Sequence, residues 1–232
     1  MNILVTGASR GIGSVIAKEL SGNIFVTSRN VDLIKHYKNF FAADLSTREG
    51  IESLGNYIEK NNIDVVVNNA GEYIYSPIVK GFEYDKIERI IRINLEAPLY
   101  LISKAIPYMK NQKFGRIINI GSISGVMGEA NASLYSATKA GLIGATRALG
   151  LELAEYNITI NTINPGWVNT DMGEKSCEDS EFSKEEILET IPQKRFVEPI
   201  EIANMVKYLI SNEANGVTGQ SINLCAGLSV GY

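Results

Sequence analysis

Hydrophobic and polar positions along the chain follow two alternating rhythms. Short runs rich in β-branched residues recur from one end to the other: Ile3-Leu4-Val5, Ile24-Phe25-Val26-Thr27, Phe40-Phe41-Ala42, Asp64-Val65-Val66-Val67, Arg116-Ile117-Ile118-Asn119-Ile120, Ile158-Thr159-Ile160-Asn161-Thr162-Ile163 and Ser221-Ile222-Asn223-Leu224. Longer stretches of helical period separate most of them, the first around Ile12 to Leu20. Nearly continuous apolar strands are buried on both faces, the condition of a parallel sheet covered by helices on each side. The series predicts an α/β fold over residues 1–232 as a single domain: a three-layer α/β/α sandwich around a seven-stranded parallel sheet. One segment breaks the rhythm. Thr170 to Lys194 is charged and serine-rich, and includes Glu174-Lys175-Ser176-Cys177-Glu178-Asp179-Ser180-Glu181. It follows Pro165-Gly166 beyond the C-terminal end of a predicted strand, where open α/β sheets keep their ligand crevice. A long connection at that place predicts a lid over residues 170–195.

Composition changes this picture little. Apolar residues make up 45% of the chain and charged residues 21%, values of an ordinary globular protein. The net charge of −4 offers no attraction for nucleic acid or an anionic membrane. Cys177 and Cys225 form neither a metal-ligand pattern nor a disulfide framework, so no metal site is predicted. Thiols this sparse fit a reducing compartment. No apolar run reaches the ~18 residues of a membrane span, and Met1 to Gly7 carries no secretory pattern. The expectation is a cytoplasmic protein.

The first strand ends in Thr6-Gly7-Ala8-Ser9-Arg10-Gly11-Ile12-Gly13, and a helix begins at once. Glycines between a strand and a helix let backbone amides approach a pyrophosphate, which then sits on the positive helix terminus. The second strand runs into Val26-Thr27-Ser28-Arg29-Asn30, so Ser28 stands where a carboxylate would select NAD. A carboxylate would repel a 2′-phosphate, whereas the Arg29 guanidinium can bind one through paired hydrogen bonds. Arg10 is a second candidate for the same phosphate. Together they favour NADP(H) over NAD(H).

These residues belong to a longer ordered set. Thr6 to Gly13, Asn68-Asn69-Ala70-Gly71, Asn94, Ser122, Tyr135-x-x-x-Lys139 and Pro165-Gly166 resemble the motifs of the single-domain short-chain dehydrogenase/reductases. The resemblance extends to Ile191-Pro192-Gln193-Lys194-Arg195 and Gly219-Gln220-Ser221-Ile222, and is greatest to the 3-oxoacyl-acyl-carrier-protein reductases. It implies a Rossmann-type sheet and an oxidoreductase that moves hydride between a nicotinamide and a ketone or secondary alcohol. It also implies a cofactor site of Gly7, Ser9, Arg10, Gly11, Ile12, Gly13, Arg29, Asp44, Leu45, Asn68, Ala70, Gly71, Tyr135, Lys139, Pro165, Gly166, Val168 and Thr170. Asp44 and Leu45 are expected near the adenine, and Asp44 also reads as a helix N-cap. Val168 and Thr170 are expected at the carboxamide end of the nicotinamide.

The catalytic set implied is Asn94, Ser122, Tyr135 and Lys139. Tyr135 and Lys139 are four apart in a helical stretch and share a face. An ammonium beside a phenol favours the phenolate and should lower its pKa toward the working range of a general acid. Ser122 follows the fifth strand into the crevice and should hold the substrate carbonyl, with Ser124 a competitor. The resemblance gives Asn94 the task of anchoring a water that links Lys139 to solvent. His36 falls in a poorly patterned connection and is expected at the surface.

The resemblance implies a small-molecule or acyl-thioester substrate. Lys113 matches a basic position that would receive an acidic carrier protein, but Tyr156 stands where that subgroup usually has an arginine, so a small ketone or a sugar remains open. A non-catalytic nucleotide sensor or scaffold on the same fold is the alternative class. A sugar-nucleotide epimerase or dehydratase would need a larger C-terminal domain than this chain can hold. The resemblance further implies a homo-oligomer, tetramer or dimer, with contacts from helices around Ala97 to Met109 and Ser133 to Glu155.

Overall fold

The computed structural model describes residues 1–179 and 182–230, and in it every one of the apolar runs is a strand. The strands are β1 (Asn2–Thr6), β2 (Asn23–Ser28), β3 (Asn39–Ala42), β4 (Val65–Asn68), β5 (Gly115–Ile120), β6 (Ile158–Pro165) and β7 (Ser221–Leu224). They form a seven-stranded sheet in the order β3-β2-β1-β4-β5-β6-β7, each pair parallel. The helices are α1 (Gly11–Glu19), α2 (Arg48–Asn61), α3 (Tyr84–Ile91), α4 (Ala97–Gln112), α5 (Ser124–Met127), α6 (Ser133–Leu153), α7 (Asp171–Asp179), α8 (Lys184–Thr190) and α9 (Pro199–Ile210).

Side chains alternate across a strand, and this alternation sorts the core into two layers. Ile3, Val5, Val65, Val67, Ile118, Ile120 and Ile163 pack with Ile16 of α1 and with Ile202, Val206 and Leu209 of α9. Leu4, Val66, Ile117, Ile158 and Ile160 pack on the opposite face with α2, α4 and Leu153 of α6. Both faces of each central strand are therefore covered, which is why the runs read as continuously apolar. The fold is the predicted three-layer sandwich. Chain order reverses at β1, which lies between β2 and β4, and a crevice opens beyond the C-terminal strand ends there.

A buried polar chain crosses the middle of the sheet. Asn68 Nδ2 donates to Asn119 Oδ1 at 3.0 Å, and Asn119 Nδ2 donates to Thr146 Oγ1 at 3.0 Å. Thr146 and Thr162 share a hydrogen bond of 2.7 Å. The register pairs Asn68 with Asn119 and Asn119 with Thr162, so the chain ties α6 to three neighbouring strands.

Two local readings change. Thr47, not Asp44, caps α2: its hydroxyl accepts from the Gly50 amide at 3.0 Å. Asp44 folds back to accept from the Ser46 amide at 2.9 Å and its hydroxyl at 2.8 Å. The segment 170–195 is largely helical. α7 and α8 occupy it, with α8 started by a capping box of Ser183 and Glu186. Of the charged run noted there, Ser180 and Glu181 lie outside the described residues.

Candidate active site

The cleft at the C-terminal strand ends measures about 640 Å³. Its floor begins at the glycine loop. Gly7 and Gly11 take positive φ, 67° and 53°, where any other residue is strained. A Cβ on Gly7 would lie 2.9 Å from Ala70 Cα, so the loop and the turn after β4 touch backbone to backbone. Thr6 secures that contact by accepting from the amides of Asn69 at 3.0 Å and Ala70 at 2.9 Å. Asn69 Nδ2 donates to the carbonyls of Thr6, 2.9 Å, and Gly7, 3.2 Å. α1 then starts with no acidic residue in its first turn. A loop turned at Gly7 and Gly11 onto an unopposed helix N-terminus fits the pyrophosphate of a dinucleotide.

Of the expected cofactor residues, Gly7, Ser9, Arg10, Gly11, Ile12, Arg29, Asp44, Leu45, Ala70, Gly71, Pro165, Gly166, Val168 and Thr170 line this cleft, as do Tyr135 and Lys139. Two do not. Asn68 is the last residue of β4 and is 3% exposed, its amide turned into the sheet toward Asn119. The neighbouring Asn69 lines the cleft in its place. Gly13 is buried beneath the loop, where a Cβ would come within 2.4 Å of the Gly7 carbonyl oxygen. It serves close packing of α1 against the loop and does not line the cleft. Thr6 and Asn69 stand in the two motifs but not in the expected cofactor set, because their side chains fasten the loop.

At one end of the cleft, Arg29 is exposed just after β2. Burial alone would raise the nearby Asp44 carboxyl. The hydrogen bonds from Ser46, with the Arg29 and Arg89 charges, hold it below the usual carboxylate range instead. Arg10 reaches across to Asp171 of α7, 3.7 Å away, with both side chains largely in solvent.

At the other end, α6 presents Tyr135 and Lys139 to Ser122. Lys139 is 4% exposed and donates to the Ile120 carbonyl at 2.8 Å. Burial pulls its ammonium down to about 8. Its Nζ stands 5.6 Å from the centre of the Tyr135 ring. The phenol does not respond as expected. Burial pushes Tyr135 up to about 12, the Ser122 hydroxyl draws it partly back, and the Glu129 charge raises it further. Desolvation acts on both partners, and the ammonium is turned to a carbonyl, so it does not lower the phenol.

Asn94 is fully buried within a π-turn, Arg92–Glu96. Its Oδ1 accepts from the Glu72 amide at 2.9 Å; its Nδ2 donates to the Glu72 carbonyl at 2.9 Å and to Thr138 Oγ1 at 3.3 Å. The side chain does not line the cleft, and its N–H groups are spent. It holds the turn at Gly71, where a Cβ would lie 3.4 Å from both Asn94 Oδ1 and Lys139 Nζ. Asn94 thus braces the turn beside Lys139.

A carboxylate not anticipated from the sequence completes the site. Glu129 accepts from the Tyr73 hydroxyl at 2.8 Å and from Ser124 Oγ, which accepts in turn from Ser122 Oγ at 3.1 Å. Ser124 therefore relays between Ser122 and Glu129. His36 is exposed, with its ring against Tyr37. Lys113 and Tyr156 precede β5 and β6 at the N-terminal strand ends, away from the cleft; Asn157 Nδ2 donates to the Lys113 carbonyl and Lys110 covers the Tyr156 ring.

Known proteins share this architecture. The family profile described as "Enoyl-(Acyl carrier protein) reductase" matches residues 7–229. The 3-oxoacyl-[acyl-carrier-protein] reductase of Rickettsia prowazekii is 35% identical over 97% of this chain and 95% of its own length. The NADPH-dependent reductase YwfH of bacilysin biosynthesis superposes with a TM-score of 0.93 at 29% identity, covering 100% of this chain and 99% of its own. A single-residue variant of the actinorhodin polyketide ketoreductase, solved with NADPH, gives 0.90 at 34% identity, covering 100% and 97%. A glycine-loop cleft ending at Ser122, Tyr135 and Lys139, on a chain matched over nearly its whole length, places this protein in the short-chain dehydrogenase/reductase family, as an NAD(P)-dependent oxidoreductase.

Proposed function

We propose that this enzyme uses NADPH to reduce a ketone to a secondary alcohol, with Tyr135 as the proton donor. The observation that carries the reading is the convergence of Ser122, Tyr135 and Lys139 at one end of a cleft whose other end is the glycine loop. The nicotinamide supplies the hydride. Ser122 orients the carbonyl oxygen, and the phenol, held protonated by burial, gives that oxygen its proton. Lys139 supports the exchange from the Ile120 side, and the 71–72 turn held by Asn94 keeps its surroundings in register. Arg29, with Ser28 in place of a carboxylate, supports NADPH over NADH. The helices of 170–195 would act as the lid: Thr170, Met172 and Ser176 line the cleft from that side.

The test is turnover of a ketone panel with NADPH and NADH in parallel, for the wild type and Tyr135→Phe. Removing a general acid should cost ~10²–10⁴-fold in kcat while NADPH binding is largely kept. Normal turnover in the variant would refute the assignment. The enzyme should also be a homo-oligomer, since Ile78, Val79 and Leu151 are 68%, 91% and 84% exposed. Light scattering showing only monomer at micromolar concentration would contradict that.

A further inference from the structure

We propose that Glu129, set by Tyr73 and Ser124, selects substrates carrying a hydrogen-bond donor, a hydroxyl or an ammonium, within a carbon or two of the carbonyl being reduced. The inference rests on the reductase reading above and deepens it by naming the substrate class.

Glu129 lies in the turn between α5 and α6 and lines the cleft with Ser122, Ser124, Tyr73 and Tyr135. Its Oε1 accepts from the Tyr73 hydroxyl at 2.8 Å, and its Oε2 from Ser124. The Tyr73 ring in turn stands edge-on to Tyr135, centroids 5.2 Å apart and planes at 73°. Among the described residues, no lysine, arginine or histidine forms an ion pair with this carboxylate. Both its partners are neutral hydroxyls. A carboxylate has about four acceptor positions, and Tyr73 and Ser124 use two of them.

A half-buried carboxylate with acceptor positions still open is better satisfied when a further donor or a cation meets it. The charge is felt at the reacting end of the cleft: it contributes, after burial, to raising both the Tyr73 and the Tyr135 phenols. The distance suits a substituent next to the reaction centre. Ser122 and Glu129 are separated by one hydroxyl, hence by two hydrogen bonds, a span of at most about 6 Å. A carbonyl oxygen on Ser122 then leaves the substituent on a neighbouring carbon within reach of Glu129. The rest of the cavity includes Met127, Trp167 and Met172, suited to an apolar body. A substrate with a carboxylate or phosphate at the Glu129 position would be repelled, and a 3-oxoacyl thioester offers no donor there.

The test compares wild type and the near-isosteric Glu129→Gln on one carbon skeleton bearing methyl, hydroxyl or amino next to the ketone, plus a 3-oxoacyl thioester. At saturating NADPH, the wild type should favour the hydroxy and amino ketones over the methyl ketone by at least ~10-fold in kcat/KM. Glu129→Gln should lose most of the amino preference and keep part of the hydroxyl one, with an unchanged melting temperature. A carboxylate that merely braced the turn would leave those ratios unmoved. Equal ratios in the two proteins, or a wild-type preference for the methyl ketone or the thioester, would overturn the proposal while leaving the reductase reading intact. If no ketone is reduced, the reductase reading fails, and binding of the matching amino alcohol, read by fluorescence of the single tryptophan, Trp167, decides the rest. Weaker binding to Glu129→Gln supports the carboxylate's role, and equal binding overturns it.

Discussion

Lys139 sits where its ammonium donates to the Ile120 carbonyl, 2.8 Å away, and where burial lowers its pKa to about 8. Tyr135, beside it, is pushed the other way, to about 12. The two shifts assign the pH dependence. On the proposed mechanism, reduction needs the protonated phenol, which persists to about pH 12, and the charged lysine, which is lost above about pH 8. kcat/KM for carbonyl reduction should therefore be level in neutral solution and fall with unit slope above about pH 8. A profile level to about pH 10, the ordinary range of a free lysine or phenol, would show that the ammonium is dispensable. The same shifts act on stability. For Lys139 the unfolded chain binds more protons between pH 8 and 10.5, so the cost of burying it is relieved as pH rises through that window. For Tyr135 the folded chain binds more between pH 10 and 12, so its contribution is lost as pH rises there.

At the scale of elements, α6 is held to the sheet by the Asn68–Asn119–Thr146–Thr162 chain, two turns beyond Lys139 on the same helix. Thr146→Val keeps shape but removes the hydroxyl, leaving the Asn119 amide buried without its acceptor. That should cost ~1–3 kcal/mol, a fall in Tm of roughly 2–12 °C for a chain of this size, measurable by calorimetry. An unchanged Tm would mean that the polar chain does not secure α6. These elements also show what could be read before the structure. The strands were legible because burial on both faces leaves a β-branched signature in any single run. The face of a strand's last residue was not: Asn68 and Asn69 look alike in sequence, and only pairing with Asn119 turns the first inward. The π-turn around Asn94 left no separate pattern, since it continues the helical period of α3 into α4. Glu129 was illegible for a different reason. Its meaning lies in Tyr73, 56 positions away, which no local period connects to it.

Over the whole molecule, 26 acidic side chains outweigh 22 basic ones, so the surroundings of the cleft offer a phosphorylated dinucleotide little general attraction. On the proposed NADPH preference, selection for a 2′-phosphate must then be local. Arg10 is shared with Asp171 across the mouth, an exposed pair worth at most about 1 kcal/mol. Arg29 stands after β2, close enough to Asp44 for its charge to help keep that carboxyl ionised. The site thus balances one guanidinium against a carboxylate, and loss of Arg29 would leave Asp44 to repel a phosphate. A charge-assisted hydrogen bond contributes about 1.5–3 kcal/mol, so Arg29→Ala should raise the KM for NADPH by ~10–150-fold. The KM for NADH should barely move, since its ribose presents no charge to either group. Because Arg29 is exposed, the wild-type preference for NADPH should also shrink as ionic strength rises above about 0.15 M. Parallel kinetics with both cofactors, at low and high salt, measure each effect. A wild type that prefers NADH, or an Arg29→Ala variant that loses both cofactors equally, would move the determinant away from Arg29 and into the glycine loop.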